Sequence, residues 1–157
     1  MSDSFAEILS LQDLKTKTLS LKQSGKKIVF TNGCFDILHP GHVSYLAEAK
    51  SLGDILVVGL DTDSSVKKLK GESRPIQNQD ARAKVLSALR SVDYICFFED
   101  GNPEPLIESV VPDVLVKGGD WKPEQIRGSK FVLAGGGEVK SLKFIEGFSS
   151  TSILSKI

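Results

Sequence analysis

The sequence predicts an α/β fold, a three-layer sandwich in which helices cover both faces of a central parallel sheet. Three observations carry that expectation. Short apolar runs alternate with stretches of helical periodicity from residue 27 onward. Most runs are continuously apolar, as in Ile55-Leu56-Val57-Val58-Gly59-Leu60, the pattern of strands covered on both sides. The chain has 157 residues and is 40% apolar, which suits one sizeable core and leaves no room for a second. Together these describe a Rossmann-like architecture with right-handed crossovers.

Taken in order, apolar residues at Phe5, Ile8, Leu9, Leu14 and Leu21 approximate a helical stripe that Ser24-Gly25 ends, giving an N-terminal helix expected to pack outside the main unit. Strands follow at 27–31, 55–60, 94–98, 114–117 and near 138–143, with helices at 41–52, 78–91 and 103–111. The expected division is an N-terminal helical extension, 1–25, and a main domain, 26–157. Gly135-Gly136-Gly137 and Lys70-Gly71-Glu72-Ser73-Arg74-Pro75 read as loops, the second a candidate lid. The sequence carries no internal repeat and no low-complexity segment.

Lysine plus arginine equals aspartate plus glutamate, 20 of each, so no overall field draws the protein to nucleic acid or a membrane surface. An anionic ligand must be held by local geometry. The opening MSDSFAEILSLQDLKTK has early acidic residues and no continuous apolar core, so neither a signal peptide nor a membrane span is expected, and a cytoplasmic protein is the simplest reading. Cys34 and Cys96 lack metal-type spacing and are expected to be reduced, packed thiols.

The chemistry is concentrated in Thr31-Asn32-Gly33-Cys34-Phe35-Asp36-Ile37-Leu38-His39-Pro40-Gly41-His42, which begins where the first long strand ends and holds both histidines of the chain. Ligands of an open parallel sheet bind beyond the carboxyl ends of its strands. Pro40 fits the first position of a helix, which puts His39 at or just before the cap and His39 and His42 on one face. Unpaired N–H groups and the positive dipole end favour phosphate there, Gly41 leaves space for its approach, and two imidazoles add directional donors. That set suits a transferring phosphoryl group on which charge grows. Ordinary surface or capping histidines, or a zinc pair completed by carboxylates, are the other readings of the same residues.

Gly33-Cys34-Phe35-Asp36 followed by His39-Pro40-Gly41-His42 resembles the HxGH signature of the nucleotidyltransferase superfamily, in the form GxFDxxHxGH of its cytidylyltransferase-like branch. The resemblance implies that a substrate phosphate attacks the α-phosphate of a nucleoside triphosphate in line, that pyrophosphate leaves, and that residues 26–157 form a nucleotidyltransferase domain. It implies catalytic roles for His39, His42, Lys70 and Arg82, and nucleotide contacts from Asn32, Gly33, Cys34, Phe35, Gly41 and Lys117. Gly147-Phe148-Ser149-Ser150-Thr151-Ser152-Ile153 resembles the second signature, ISSTxI, which puts Ser149, Ser150 and Thr151 on the nucleotide as well; simple capping of a terminal helix is the alternative. Arg90 and Asp93 resemble the RxVD pair that supports the site near a subunit contact. Local ion pairing or helix capping explains them equally well.

Val116-Lys117-Gly118-Gly119-Asp120-Trp121, with LKGESRP at 69–75 and VLSALRSVD at 85–93, looks like the adenylyltransferase part of bacterial ADP-heptose synthesis. That family implies Mg²⁺-ATP as donor, D-glycero-β-D-manno-heptose 1-phosphate as acceptor, a product for lipopolysaccharide core assembly, and a homodimer. Asp36, Gly118, Asp120 and Trp121 then fall on the acceptor side. No protein metal ligand is expected, because Mg²⁺ commonly rides on the nucleotide phosphates. Cytidylyl transfer to glycerol 3-phosphate is the nearest rival, against which Phe144 and Lys117 are departures. A nucleotide-binding sensor without turnover is a further alternative, whereas a dinucleotide-binding domain would need a GxGxxG that is missing after the first strand.

Overall fold

The computed structural model describes residues 4–157; residues 1–3 of the expected N-terminal extension lie outside the described residues. Six parallel strands, β1 (Glu7–Ile8), β2 (Ile28–Gly33), β3 (Ile55–Asp61), β4 (Tyr94–Phe98), β5 (Val114–Gly118) and β6 (Glu138–Leu142), form one sheet in the order β1-β4-β3-β2-β5-β6. The helices are α1 (Leu11–Gln23), α2 (Pro40–Ser51), α3 (Asp63–Lys70), α4 (Gln79–Ser87), α5 (Glu104–Val110), α6 (Ser129–Ala134) and α7 (Ser150–Leu154). No described helix is long and apolar enough to cross a membrane.

Strand residues alternate between two cores, one on each face of the sheet, as a period of two requires. Val29, Leu56, Val58, Leu60, Ile95 and Val116 face Leu46 and Ala49 of α2 and Ala83 and Leu86 of α4. Ile28, Phe30, Val57, Cys96 and Leu115 face Leu14 of α1, Leu106, Ile107 and Val110 of α5 and Val132 of α6. The α/β three-layer sandwich expected from the sequence is therefore the fold, with Cys96 packed inside it as a free thiol.

The N-terminal segment departs from expectation twice. Its helix begins only at Leu11, because the Ser10 side chain caps it by accepting the Asp13 N–H at 3.1 Å. Phe5 and Ile8 thus leave the helical stripe, and Glu7–Ile8 extends the sheet beside β4. Nor does α1 pack outside the main unit: Leu14 is 0% exposed and joins the core under β2 and α5. Helices α3 and α6 are additions to the expected set. Each is short and offers few apolar residues to the core, Val66 from α3 and Val132 from α6, too few to show a period.

Replacing Leu14 by alanine is expected to lower the unfolding free energy by about 2–5 kcal/mol, as for other fully buried leucines. Exposed Leu19 on the same helix serves as the control, with a change within about 0.5 kcal/mol. Equal, small effects in denaturant titrations would mean that α1 is peripheral.

Candidate active site

From β2 the chain winds outward through β3 and β4 on one side, then crosses to β5 and β6 on the other, so a crevice opens at the carboxyl end of β2. The turn that leaves this strand is tight. A Cβ on Gly33 would lie 2.9 Å from the Phe35 ring, and Phe35 itself is left-handed at φ +47. Holding a bulky L-residue there costs roughly 1–2 kcal/mol. The strain folds the Phe35 ring back so that it meets His42 edge to face, with centroids 5.1 Å apart.

His39 is the extended N-cap of α2 and Pro40 occupies its first turn, as the sequence predicts. The helix is anchored by Leu46 and Ala49 in the core and by a 2.6 Å hydrogen bond between the Tyr45 hydroxyl and Thr31 of β2. The two imidazoles stack with centroids 3.8 Å apart and planes 22° apart, and His39 Nδ1 accepts the His42 N–H at 3.4 Å. Gly41 makes the stack possible, since a Cβ there would lie 2.8 Å from the His39 ring. The Cβ position that Gly41 leaves empty faces the His39 ring. Phe148 stacks on the other side of His39 at 6.2 Å.

Burial, then the neighbouring His39 and Lys70, push the His42 pKa down to about 4, against a smaller upward effect of the Ile37 backbone. Burial lowers that of His39. Both rings are thus neutral at pH 7, each with one N–H to donate. Cys34 touches Asp61 at 3.5 Å, and burial followed by Asp61 raises its thiol to about 11, far from a reactive thiolate.

Two expected ligand contacts are redirected by burial. Asp36 has a side chain 0% exposed, and its oxygens accept from Arg74 Nε at 2.8 Å, the Ile76 N–H at 2.8 Å and the Gln77 N–H at 3.0 Å. Burial alone would raise its pKa, but the Gln77 and Ile76 amides and Arg74 outweigh that and lower it. With both oxygens engaged, Asp36 holds a loop rather than the acceptor. Arg82, also buried, donates to Cys34 O at 2.8 Å and Gln77 O at 3.0 Å and pairs with Asp63 at 3.0 Å. Its charge is committed to the frame and does not face a phosphate.

The exposed Lys70 is the basic residue whose charge reaches His42 and Cys34. Asn32, Lys117 and Trp121 line a cavity of about 280 Å³ with Gly101 and Arg127. Lys117 Nζ lies 5.4 Å from the Trp121 ring centre. Beyond Trp121 opens a cleft of about 760 Å³ lined by Gly119, Asp120, Gln125, Lys143, Phe144 and Glu146. Gly118 permits this shape, because a Cβ there would meet the Phe144 ring at 2.6 Å.

Ser149 caps α7 by accepting the Ser152 N–H at 2.9 Å, and the Ser150 hydroxyl donates to Ile37 O at 3.0 Å, tying α7 to the histidine turn. Thr151 is exposed beside them. Arg90 and Asp93 lie at the opposite, amino-terminal end of the strands. There Asp93 accepts the Leu56 N–H at 2.7 Å and pairs with Lys50, while Arg90 is exposed on a groove beside Phe5 and Glu7. Residues that sequence reasoning missed are Gln125, Lys143 and Glu146, which come from a single 3-10 turn and from a loop, neither long enough to show a period.

Among the described residues no group of three His, Cys, Asp or Glu side chains is placed to hold a metal ion. The nearby carboxylates are engaged: Asp36 by the loop, Asp63 by Arg82, and Asp61 by the Ser65 hydroxyl at 2.6 Å.

Comparison with known proteins gives a consistent result. The cytidylyltransferase-like family matches residues 30–156. The bifunctional protein HldE of Actinobacillus pleuropneumoniae is 56% identical over 150 residues, covering 96% of this chain and 32% of that protein. That of Haemophilus influenzae is 55% identical over the same length, again covering 96% of this chain and 32% of the relative. The chain thus spans about a third of the length of these curated relatives. Among solved structures, the lipopolysaccharide core biosynthesis protein from Thermoplasma volcanium superposes with a TM-score of 0.63 at 31% identity, covering 77% of this chain and 98% of that one. Pantoate-beta-alanine ligase from Francisella tularensis shares the fold, with a TM-score of 0.63 at 17% identity over 95% of this chain and 76% of that one.

Replacing Asp36 by asparagine is expected to destabilise the protein by about 3–5 kcal/mol at pH 7, the scale of a broken buried ion pair. Because the folded-state pKa of Asp36 is lowered, its contribution is present above the ordinary carboxylate range and is lost as pH falls through the folded value. The gap between variant and wild type, read from denaturant unfolding, therefore narrows below about pH 4. A gap independent of pH would contradict the assignment.

Proposed function

This chain belongs to the cytidylyltransferase-like family, and from that premise we propose that it transfers AMP from ATP to D-glycero-β-D-manno-heptose 1-phosphate, releasing pyrophosphate. The observation that carries the reading is the stacked, neutral histidine pair at the start of α2, beside the crevice where the strand order reverses. The identity to the HldE proteins and the likeness to the lipopolysaccharide core biosynthesis protein of Thermoplasma support the choice of acceptor.

In this reading an ionised oxygen of the sugar phosphate attacks the α-phosphorus, a new P–O bond forms, the bond to the β-phosphate oxygen breaks, and the electron pair leaves with pyrophosphate. No general base is needed, since the attacking oxygen carries no proton. His39 and His42 donate hydrogen bonds to oxygens on which charge grows, strongest in the transition state. Lys70 and Lys117 offset the triphosphate charge. The backbone around Asn32, Gly33, Cys34 and Phe35 shapes the nucleotide side, and Ser150 and Thr151 at α7 receive the leaving pyrophosphate. Asp120, beside Gly118 and Trp121, accepts hydrogen bonds from sugar hydroxyls. Mg²⁺ bound to the triphosphate would supply further charge neutralisation. The same reading puts the reaction in the cytoplasm and the enzyme in a homodimer, with Arg90 and Asp93 near the subunit contact.

Pyrophosphate release with ATP or CTP, each offered with heptose 1-phosphate or glycerol 3-phosphate, tests this. Turnover with ATP and heptose 1-phosphate alone is expected. Turnover with CTP and glycerol 3-phosphate would assign the rival reaction, and nucleotide binding without release in any pairing would make the protein a sensor. His42→Ala is expected to lower kcat by roughly 10²-fold or more while the unfolding curve stays within about 1 kcal/mol of wild type. Full activity would remove His42 from the chemistry. Asp120→Ala is expected to raise KM for the acceptor more than KM for ATP, and equal changes would contradict its place on the sugar side.

A further inference from the structure

Lys70 is the exposed last residue of α3, and the course of its backbone depends on how that helix and the following loop are anchored. Buried guanidinium groups anchor both. At the amino end of α3, Asp63 pairs with Arg82 at 3.0 Å and its N–H donates to Gln79 Oε1 at 2.9 Å. At the other end the chain turns at Gly71, φ +99, and the loop is pinned to Asp36 by Arg74, Ile76 and Gln77. The Gln77 carbonyl accepts from Arg82 Nε at 3.0 Å, so the two anchors meet at one residue. Asp36 itself stands three residues before His39 in the same turn.

We propose that Arg74 is a positioning residue: its buried pair with Asp36 fixes the loop at 71–77 and so sets the Lys70 ammonium against the histidine pair. The inference takes its purpose from the nucleotidyl-transfer reading, although its test does not need that reading. Arg74 is 9% exposed, and its Nη2 is buried without a hydrogen-bond partner among the described residues. A buried ion pair is a poor way to stabilise a loop, since replacing both partners by apolar side chains of similar volume is often at least as stable, whereas removing one alone is costly. What the ion pair supplies is one fixed geometry. The other lysines of α3 do not need it: Lys68 is exposed and pairs with Asp100 at 2.6 Å, and Lys67 is exposed.

The chain has two histidines, so their imidazole proton resonances are readily assigned with a His39→Gln variant, and His42 reports the nearby charges, His39 and Lys70, without any substrate. Its titration midpoint is compared by NMR in wild type, Lys70→Gln, Arg74→Met and the double variant. Removing Lys70 is expected to move the midpoint upward by about half a pH unit or more, as loss of a neighbouring like charge does. Arg74→Met is expected to produce a similar rise, and the double variant no further one.

A midpoint unmoved in Arg74→Met but raised in Lys70→Gln would overturn the proposal, because Lys70 would then keep its place without the latch. A midpoint unmoved in Lys70→Gln would overturn it too. If Arg74→Met does not fold, Arg74→Lys, which keeps the charge but not the planar fork, makes the same comparison with the same rise expected. Absence of turnover in wild type would count against the function and leave this result unaffected.

Discussion

Two imidazoles stacked 3.8 Å apart cannot both carry charge, and the rest of the site follows from that constraint. Burial already favours the neutral rings, and Lys70 strengthens the preference at His42. The pair is therefore a source of directional hydrogen bonds rather than of net charge. Neutral donors held rigidly suit a reaction whose charge redistributes among phosphate oxygens, because they need not reorganise as it does so. In the proposed reaction, offsetting the charge of a triphosphate is the part given to Lys70, Lys117 and backbone amides.

The arginines sharpen this division. Arg74 and Arg82 are the cations most deeply placed near the turn, and both are bonded inward, to Asp36, Asp63 and backbone carbonyls. Buried pairs of this kind contribute little net stability but penalise any arrangement in which one partner is left alone. They join the turn after β2 to α3, α4 and the loop between them. Lys70 is exposed and Lys117 half-buried, and neither ammonium is committed to such a buried pair.

Much of the fold was legible because its physical basis is local. Continuous apolar runs marked the core strands, and Pro40 marked the first turn of α2 with His39 as its cap. Helices α3 and α6 were illegible because they bury too little to leave a period, and β1 because two residues cannot show one. At the site, residue identity was easier to read than direction. Asp36 and Arg82 stand out as charged groups near a phosphate-type turn, yet the side chains that turn them inward lie 38 residues away for Asp36 and 19 for Arg82. Arg74 could be read as a basic residue beside the loop, but only the folded chain reveals that its partner is Asp36.

The proposed reaction depends most heavily on the histidines acting as donors and not as nucleophiles, with transfer direct from ATP to the acceptor. Cys34, held near pKa 11 behind Asp61, is no candidate for a covalent intermediate, but a neutral imidazole is chemically capable of attacking phosphorus. The decisive measurement is the stereochemical course at the α-phosphorus, using ATP made chiral there by a sulfur substitution. A single in-line displacement predicts inversion of configuration. Retention would require two displacements through a nucleotidylated side chain, and would contradict a histidine pair that only donates hydrogen bonds.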